Sequence, residues 1–443
     1  MLTTSPSLPI IPINHPLSAT VRVPGSKSLT NRALLIAALA NGTTRLTNVL
    51  FSDDSEYFAY ALKTLGFEVR LDEINSEMIV TGLDGKIPSK KAELYIGNAG
   101  TAARFLSAFL ALGNGEYTLD GDSRMRERPI GDLIDALHQL GVEVEATNHC
   151  PPVEISAKGL SGGKTKIVGN ISSQFLSALL MIAPYAKSPV EIEVITELNS
   201  KPYVDMTIAV MQDFGVNVER QGYERFIIRP SSFFPPFDVR FDRLSAAAQG
   251  KLSSYSIESD ASAASYFFAA PVICGGTVRV ENISRSSKQG DIAFLDVLGQ
   301  MGCKTTEDNN SIEVSCTNSG KGIDMDMRDI PDTAQTLAAI APFASSPTRI
   351  RGIASARHKE TDRIHATCME LGRLGVQVEE HEDGMTVYPC NEIQPATVRT
   401  YNDHRMAMAF SLIGLRVPGV TIENPACVSK TFPNYFDVLE NLR

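Results

Sequence analysis

The first residues suited to chemistry form the stretch Pro24–Arg32, which places Lys27 and Arg32 beside small hydroxyl residues. An apolar run over 33–40 follows it directly and predicts a buried helix. The Pro-Gly pair interrupts the incoming strand, and the free N–H groups of the first helical turn favour an anion in front of them. With two cationic side chains added, the stretch predicts an anion-binding site at a helix N-terminus.

Cationic side chains recur at other junctions between loops and predicted helices. Any one of them could be a solvated charge or part of an ion pair at a helix end. Their recurrence at equivalent junctions instead favours a local site for phosphate and carboxylate groups, which arginine binds in a bidentate manner. These residues are Lys27, Arg32, Arg104, Arg124, Arg126, Arg128, Arg357, Lys359, Arg363, His404, Arg405 and Lys430.

A glycine-rich turn, Gly97–Arg104, leads into another predicted helix. Its Gly100 would let backbone amides approach a ligand closely, although a plain strand-to-helix turn explains the pattern equally well. The turn has neither the dinucleotide fingerprint nor the phosphate-loop spacing of nucleotide-binding proteins. ATP or NAD as a cofactor is therefore not indicated.

Two carboxylates, Asp332 and Glu360, lie among these cations in the sequence. Neighbouring charges can tune such groups for general acid–base catalysis. The simpler alternatives are that Asp332 caps a helix and that Glu360 pairs with Lys359 or Arg363. No Ser-His-Asp or Cys-His arrangement follows from the spacing, so covalent acyl chemistry is not indicated.

The elements that position these residues repeat along the chain. A helix end, a glycine and a short strand with alternating valines recur at nearly equal intervals, with one longer interval before the fourth copy. A second kind of helix, rich in Ala, Leu, Phe and Met, recurs in step and predicts burial on all sides. The glycines are Gly66, Gly141, Gly215, Gly302 and Gly375, and the apolar helices are predicted at Ser28–Leu39, Gly100–Leu112, Ser172–Ala183, Asp260–Val272, Asp332–Ala341 and His404–Leu415.

The repeats predict an α/β protein with two similar domains of three units each. The longer interval indicates an insertion near 231–254. Because the chain ends where the strand of the sixth unit would begin, an N-terminal segment, either 19–23 or 8–13, is predicted to supply that strand. We therefore expect one domain from 1–23 plus 257–443, a second from 24–256, and a two-strand hinge near 23 and 256.

Composition excludes several classes of protein. A formal net charge of −10 over 443 residues argues against a general nucleic-acid or membrane-surface binder. The seven cysteines show no CxxC pairing, so we expect reduced thiols, a cytoplasmic protein and no structural zinc. No apolar run reaches membrane-spanning length.

Eight motifs, taken together and in order, resemble those of the 5-enolpyruvylshikimate-3-phosphate synthase family of enolpyruvyl transferases. They are Pro24–Arg32, Gly97–Arg104, Arg124–Pro129, Ile171–Phe175, Ser200–Tyr203, Lys359–Arg363, Tyr401–Met408 and Ser429–Pro433. The resemblance implies transfer of the enolpyruvyl group of phosphoenolpyruvate to the 5-hydroxyl of shikimate 3-phosphate, with release of phosphate, on the shikimate pathway to chorismate. It also implies an inside-out α/β barrel in two hinged domains that close over substrate. We expect no cofactor and no metal, a monomer, and glyphosate as an inhibitor.

Carried over residue by residue, the motifs imply two overlapping binding sets. Shikimate 3-phosphate would be bound by Lys27, Ser28, Arg32, Ser172, Ser173, Gln174, Ser200, Tyr203, Asp332, Ser355 and Lys359. Phosphoenolpyruvate would be bound by Lys27, Asn98, Gly100, Thr101, Arg128, Gln174, Arg363, His404, Arg405 and Lys430. The resemblance further implies that Asp332 is the base toward the 5-hydroxyl, and that Lys27 and Glu360 handle the proton at the enolpyruvyl carbon.

The chain departs from the commonest family pattern at two residues beside these motifs, and also in the insertion near 231–254. Ser355 stands where many relatives have Asn, and Phe105 stands where many have Pro. Because Phe105 follows the Gly100–Arg104 turn closely, we expect glyphosate to bind differently here.

Three other functions compete with this prediction. A related enolpyruvyl transferase acts on UDP-N-acetylglucosamine, but its family uses a cysteine on a mobile Gly/Arg-rich loop, and no cysteine here lies in such a loop. An RNA-end-binding or cyclising protein would favour basic and aromatic residues in alternation. A repeat scaffold would not need different ionisable residues at each equivalent junction.

Overall fold

The computed structural model describes residues 6–234, 253–308, 310–317 and 320–443. Most of the predicted insertion near 231–254 falls on residues 235–252, which lie outside the described residues. Within the described residues, no helix is both long and apolar enough to cross a membrane.

The helices alternate with short strands along the described chain. The α-helices are α1 (Lys27–Leu39), α2 (Asp53–Thr64), α3 (Gly100–Leu110), α4 (Gly131–Gln139), α5 (Ser173–Ile182), α6 (Lys201–Asp213), α7 (Ala261–Cys274), α8 (Phe294–Met301), α9 (Ala334–Ile340), α10 (Arg363–Arg373), α11 (His404–Gly414) and α12 (Tyr435–Glu440).

The strands are β1 (Ser7–Pro9), β2 (Leu17–Arg22), β3 (Asn41–Thr47), β4 (Glu68–Asp72), β5 (Glu77–Leu83), β6 (Lys91–Tyr95), β7 (Asn114–Asp120), β8 (Glu143–Ala146), β9 (Val153–Lys158), β10 (Gly163–Ile167), β11 (Val190–Val194), β12 (Glu219–Gln221), β13 (Arg225–Ile228), β14 (Ser253–Ser256), β15 (Gly276–Glu281), β16 (Lys304–Asp308), β17 (Ser311–Cys316), β18 (Asp324–Asp326), β19 (Thr348–Arg351), β20 (Val378–His381), β21 (Gly384–Val387), β22 (Thr397–Val398) and β23 (Thr421–Glu423).

The contacts of the chain divide it into two compact units. One is Gly25–Glu258, and the other combines the described residues of Met1–Pro24 with Ser259–Arg443. Each unit has its own apolar core. The chain passes from one unit to the other at Pro24–Gly25 and again at Glu258–Ser259.

The described residues of the unit Gly25–Glu258 form three four-stranded sheets of the same design. Their strand orders are β14-β3-β5-β4, β6-β7-β9-β8 and β10-β11-β13-β12. In each sheet the first two strands are parallel and the remaining pairs are antiparallel. The sequence repeats therefore correspond to repeated sheets.

The apolar helices that lead to the candidate site are buried on nearly all sides, as predicted. Helix α1 is buried from Leu29 to Leu39, and every residue of α3 is buried. Helix α4, by contrast, buries only the face that includes Leu133, Ile134 and Leu137. The difference follows the sequence, since polar residues are interspersed throughout α4, whereas α1 is entirely apolar from residue 33 onward and α3 has only Arg104 and Ser107 as polar residues after its first turn.

The described part of the other compact unit repeats this design with two four-stranded sheets and one of three strands. Their orders are β16-β17-β15-β2, β18-β19-β21-β20 and β1-β23-β22. The N-terminal segment contributes to two of them: β2 lies parallel to β15, and β1 lies antiparallel to β23. The start of the 8–13 segment thus pairs with the last strand of the chain, whereas most of the 19–23 segment lies in β2 and pairs with β15.

The five predicted helix-stop glycines all have positive φ. The values are +94° at Gly66, +84° at Gly141, +87° at Gly215, +107° at Gly302 and +77° at Gly375. Glycine adopts this conformation without the steric cost of a Cβ atom. The sequence predicted these helix ends correctly because the requirement is local.

The expectation of seven reduced cysteines is wrong for one pair. Cys303 and Cys316 form a disulfide, with their Cα atoms 4.7 Å apart. Cys303 precedes β16 and Cys316 ends β17, and Lys304 pairs with Ser315 across this hairpin, so the two side chains are neighbours. A search for CxxC spacing does not detect such a cross-strand pair. Cys150, Cys274, Cys368, Cys390 and Cys427 are free thiols.

Candidate active site

The N-terminus of α1 is built as the sequence indicated. Ser26 caps the helix by accepting a hydrogen bond from the Leu29 N–H at 3.4 Å, and its own N–H donates to the Glu258 carbonyl at 2.8 Å. Gly25 lies so close to Asn48 that a Cβ atom would overlap the Asn48 carbonyl oxygen. This close packing fixes the position of the backbone that carries Lys27.

Lys27 is held by a carboxylate that the sequence analysis missed. Its Nζ lies 3.6 Å from Asp54 Oδ2, and the Asp54 side chain is buried. Asp54 is in the first turn of α2, where a negative charge is favourable. The pair orients the Lys27 ammonium, and the run of acidic residues that opens α2 was the signal that could have revealed it.

Arg32 is enclosed by neutral acceptors. Its Nε donates to Thr207 Oγ1 at 2.7 Å, Nη1 to the Ser28 carbonyl at 3.0 Å and Nη2 to the Tyr203 carbonyl at 3.1 Å. Its guanidinium lies 5.3 Å from the centre of the Phe105 ring. Burial lowers the pKa of Arg32 to about 10. With no carboxylate partner among the described residues, this cation leaves positive potential at the end of α1.

A second cation, Arg128, closes on the glycine-rich turn. Its Nη1 donates to the side-chain oxygen of Asn98 at 2.8 Å and to the Asn98 carbonyl at 3.1 Å. A Cβ atom on Gly100 would overlap Arg128 Nη2. Three residues assigned to phosphoenolpyruvate by resemblance are thus brought together. Arg124 and Arg126 instead pair with Glu127 and Asp120 at the surface.

The hydroxyl residues predicted to bind substrate in the compact unit Gly25–Glu258 also lie at helix N-termini. Ser172 caps α5 by accepting from the Gln174 N–H at 3.3 Å, and the Gln174 side chain donates to Thr101 Oγ1 at 3.3 Å. Ser200 precedes α6 in the left-handed conformation, and its carbonyl accepts from the Tyr203 N–H at 3.0 Å. Gln174 therefore links the helix that carries Ser173 to the glycine-rich turn.

In the other compact unit, Arg363 is the centre of a buried ionic cluster. Its Nε donates to Asp403 Oδ2 at 2.7 Å, Nη2 to Glu360 Oε2 at 2.7 Å and Nη1 to Asp332 Oδ1 at 3.2 Å. Burial by itself would lower the pKa of Arg363, but the charges of Asp403, Glu360 and Asp332 outweigh it and raise this pKa above its usual value. The arginine is therefore a fixed cation.

Arg405 shares one of these carboxylates. Its Nη2 donates to Asp332 Oδ2 at 2.7 Å, and its Nη1 contacts the Tyr266 hydroxyl at 3.4 Å. Burial raises the pKa of Tyr266 to about 12, with Arg405 acting in the opposite direction. Asp332 consequently lies between two guanidinium groups. It belongs to a 3₁₀ turn, Pro331–Thr333, and the N-cap residues of that turn and of α9 are Ile330 and Thr333.

The remaining predicted residues of this unit surround the cluster. Lys430 Nζ lies 4.0 Å from Glu360 Oε1, and the buried His404 has its Nδ1 3.6 Å from Asp403 Oδ1. Ser355 is buried in the turn Ala354–His358, and Lys359 follows that turn directly, half-buried. Of the simpler alternatives for Glu360, the ion pair with Arg363 is present.

Asp403 is the second carboxylate that the sequence analysis passed over. It is fully buried, caps α11 by accepting from the Arg405 N–H at 2.9 Å, and binds Arg363 through both oxygens. An Asp immediately before a buried helix is the usual signature of such a cap. That signature was visible in the sequence, but it gave no hint of the bond to Arg363.

The cluster thus combines fixed cations for anionic groups with carboxylates suited to proton transfer, and the comparisons with known proteins agree. A family model described as EPSP synthase (3-phosphoshikimate 1-carboxyvinyltransferase) matches residues 11–439. The chain belongs to the EPSP synthase family. The predicted family and enzyme class, a transferase, are confirmed.

Relatives named 3-phosphoshikimate 1-carboxyvinyltransferase resemble the chain over nearly its whole length. The protein of Trichormus variabilis is 49% identical over 426 residues, which cover 96% of each chain. That of Sulfurovum is 47% identical, covering 98% of this chain and 99% of its own. The chloroplastic protein of Solanum lycopersicum is 48% identical, covering 96% of this chain and 82% of its own.

Solved structures confirm the predicted fold. EPSP synthase from Acinetobacter baumannii superimposes with a TM-score of 0.80 at 24% identity, covering 98% of each chain. The enolpyruvyl transferase NikO from Streptomyces tendae gives a TM-score of 0.78 at 18% identity, covering 98% of this chain and 97% of its own. At these identities the similarity establishes the fold that EPSP synthases share with another enolpyruvyl transferase.

Proposed function

We propose that this chain transfers the enolpyruvyl group of phosphoenolpyruvate to the 5-hydroxyl of shikimate 3-phosphate, giving 5-enolpyruvylshikimate 3-phosphate and phosphate. The observation that carries the proposal is the position of Asp332 between Arg363 and Arg405 in a chain of this family. Two fixed cations suit a donor with a carboxylate and a phosphate, and a carboxylate held beside them suits a base.

The proposed acceptor site uses the hydroxyl residues at the helix ends. In it, shikimate 3-phosphate is bound by Lys27, Ser28, Arg32, Ser172, Ser173, Gln174, Ser200, Tyr203, Asp332, Ser355 and Lys359. The caps formed by Ser26 and Ser172 support this assignment, because helix N-termini favour phosphate groups. Arg32 already donates to four protein oxygens, so its main contribution is to orient Tyr203 and to supply positive potential.

The proposed donor site uses the buried cations. In it, phosphoenolpyruvate is bound by Lys27, Asn98, Gly100, Thr101, Arg128, Gln174, Arg363, His404, Arg405 and Lys430. The contact of Arg128 with Asn98 and its closeness to Gly100 support grouping these residues, as does the cluster around Arg363.

Addition followed by elimination requires one proton to be added and one removed at the donor. Asp332 accepts the proton of the 5-hydroxyl while the hydroxyl oxygen bonds to C2 of phosphoenolpyruvate. In the same step, C3 gains a proton from the pair Lys27 and Glu360. The resulting methyl group then returns a proton to this pair as phosphate leaves C2 and the double bond re-forms. The arginines stabilise the anionic groups throughout.

The test is phosphorus NMR of the purified protein with phosphoenolpyruvate and shikimate 3-phosphate, without added metal or nucleotide. We expect phosphate release and a new enolpyruvyl ether. Turnover with UDP-N-acetylglucosamine but not with shikimate 3-phosphate would instead support the rival transferase, which the names of the relatives do not favour.

Several finer points stay predictions. They are the cytoplasmic location, the monomeric state, the hinge near 23 and 256, and an altered response to glyphosate. The disulfide between Cys303 and Cys316 removes the reduced-cysteine argument from the support for a cytoplasmic location. The buried position of Phe105 beneath Arg32 supports an effect of this residue on the helix that begins at Gly100.

A further inference from the structure

Asp291 is a buried carboxyl group outside all the motifs that carry the proposed function. It lies in the 3₁₀ turn Gly290–Ala293, and its residue surface is 3% exposed. A buried carboxylate is costly unless neighbouring groups compensate its charge. The groups around it therefore decide what it does.

Hydrogen bonds fix this turn against the start of α7. The Ser262 hydroxyl donates to Asp291 Oδ2. The neighbouring Gln289 accepts from the Ala261 N–H at 3.0 Å and donates to the Ser259 carbonyl at 2.7 Å. Asp291 is thus held in place by the first turn of a buried helix.

The same face of α7 contacts the candidate site one turn further on. The Tyr266 hydroxyl lies 3.4 Å from Arg405 Nη1, and Ser265 forms a 3.1 Å hydrogen bond with Thr336 of α9. Residues four apart, such as Ser262 and Tyr266, lie on one face of a helix. Asp291 therefore contacts α7 through Ser262, and Arg405 contacts the next turn of the same face of α7 through Tyr266.

Charged groups face Asp291 from three elements. Burial, together with the negative charges of Asp332 and of Asp260 at the start of α7, raises the pKa of Asp291 to about 7. The hydrogen bond from Ser262 and the positive charge of Arg405 lower it. Asp291 and Asp332 thus lie in the field of one guanidinium group.

We propose that Asp291 is a positioning residue for Arg405, and that its ionised form opposes the binding of phosphoenolpyruvate. This role rests on the proposed function, in which Arg405 binds that substrate. An ionised Asp291 competes with Asp332 for the guanidinium and adds a negative charge where an anion must bind. A protonated Asp291 leaves Arg405 shared with Asp332 and accessible to the substrate carboxylate.

The experiment measures the KM for phosphoenolpyruvate between pH 6 and pH 9 at saturating shikimate 3-phosphate, in wild type and in Asp291→Asn. In wild type we expect the KM to rise with pH by roughly threefold to tenfold more than in the variant, which holds a neutral group throughout. The ionisation of the substrate phosphate affects both proteins equally and cancels in the comparison.

Asp296→Asn is the matched control, because Asp296 lies one turn further along the chain, has an exposed side chain and pairs with Arg285. It removes one negative charge from the same part of the fold. We expect this variant to follow the wild-type pH profile.

Ser262→Ala supplies a second test that does not require Asp291→Asn to fold. Loss of the hydroxyl donor raises the pKa of Asp291, because that hydrogen bond stabilises the ionised carboxylate. The rise in the KM for phosphoenolpyruvate should therefore occur at higher pH. Two results would overturn the role of Asp291 while leaving the proposed function intact. One is that the KM of wild type and that of Asp291→Asn change with pH in parallel, and the other is that the KM of Ser262→Ala rises at the same pH as that of wild type. Absence of turnover in wild type would overturn the proposed function itself, and the role of Asp291 with it.

Discussion

Asp332 and Arg405 are joined by a 2.7 Å hydrogen bond between Oδ2 and Nη2, and the other carboxylate oxygen of Asp332 accepts from Arg363 at 3.2 Å. Both oxygens of the proposed base are therefore oriented by guanidinium groups that are themselves proposed to bind the donor. The proposed base and the proposed substrate-binding cations are hydrogen-bonded to one another, so a substitution at one of them should affect the others.

Replacing Asp332 by Asn tests the role of base directly. The amide keeps the shape of the side chain but cannot accept the 5-hydroxyl proton, so we expect kcat to fall by roughly 10²- to 10⁴-fold. Phosphate release under saturating substrates measures this. Asp324→Asn, an exposed aspartate paired with Arg351, serves as the control and should retain wild-type activity. A kcat within a few-fold of wild type in Asp332→Asn would assign the base to another group.

Variants of Lys27 and Asp54 can distinguish a catalytic role of Lys27 from a structural one. Lys27→Met removes the ionic partner 3.6 Å from the buried Asp54 carboxylate, which should cost roughly 1–3 kcal/mol of stability as well as turnover. In the double variant Lys27→Met with Asp54→Asn, the stability should recover because no buried charge is left, while turnover stays lost. Thermal unfolding and phosphate release on the same samples check both statements. Recovery of turnover in the double variant would show that Lys27 acts only through Asp54.

Gly100→Ala tests the contact between the glycine-rich turn and Arg128. The added Cβ atom overlaps Arg128 Nη2, so the arginine must move, and we expect the KM for phosphoenolpyruvate to rise by roughly tenfold or more. Gly372→Ala in α10 is the control, since a Cβ atom there meets no atom within 4 Å. Its KM should match wild type. An unchanged KM in Gly100→Ala would remove Arg128 from the proposed donor site.

Local requirements were the part of the structure that the sequence predicted well. Gly66 and Gly375 end helices with positive φ because only glycine does so without strain, and that constraint is visible in a few residues. The buried helix after Lys27 was equally visible, since its apolar run has no polar face.

Pairings between distant segments were the part that the sequence left undetermined. Asp54 and Lys27 meet only because α1 and α2 pack together, and Cys303 meets Cys316 only because a hairpin places them opposite each other. Charge and position alone did not distinguish Arg124, Arg126 and Arg128, and only the family resemblance selected Arg128 for the donor site. Arg126 lies within a tight 3₁₀ turn, Met125–Glu127, and pairs with Asp120, Arg124 pairs with Glu127, and Arg128 lies against Gly100.

The pH dependence of stability offers a last test, independent of activity. Burial and the neighbouring Asp332 raise the pKa of Asp291 from 3.8 to about 7, so the folded state binds a proton that the unfolded state has lost between these values. The stabilisation is therefore complete below the unfolded pKa and is lost as the pH rises through the folded pKa. Between pH 5 and pH 8, wild type should lose roughly 1–3 kcal/mol relative to Asp291→Asn, which does not titrate. Unfolding in denaturant at the two pH values measures the difference, with Asp296→Asn expected to behave as wild type. A constant difference between wild type and Asp291→Asn at both pH values would mean that Asp291 stays ionised in the folded protein, because its neighbours compensate its charge fully.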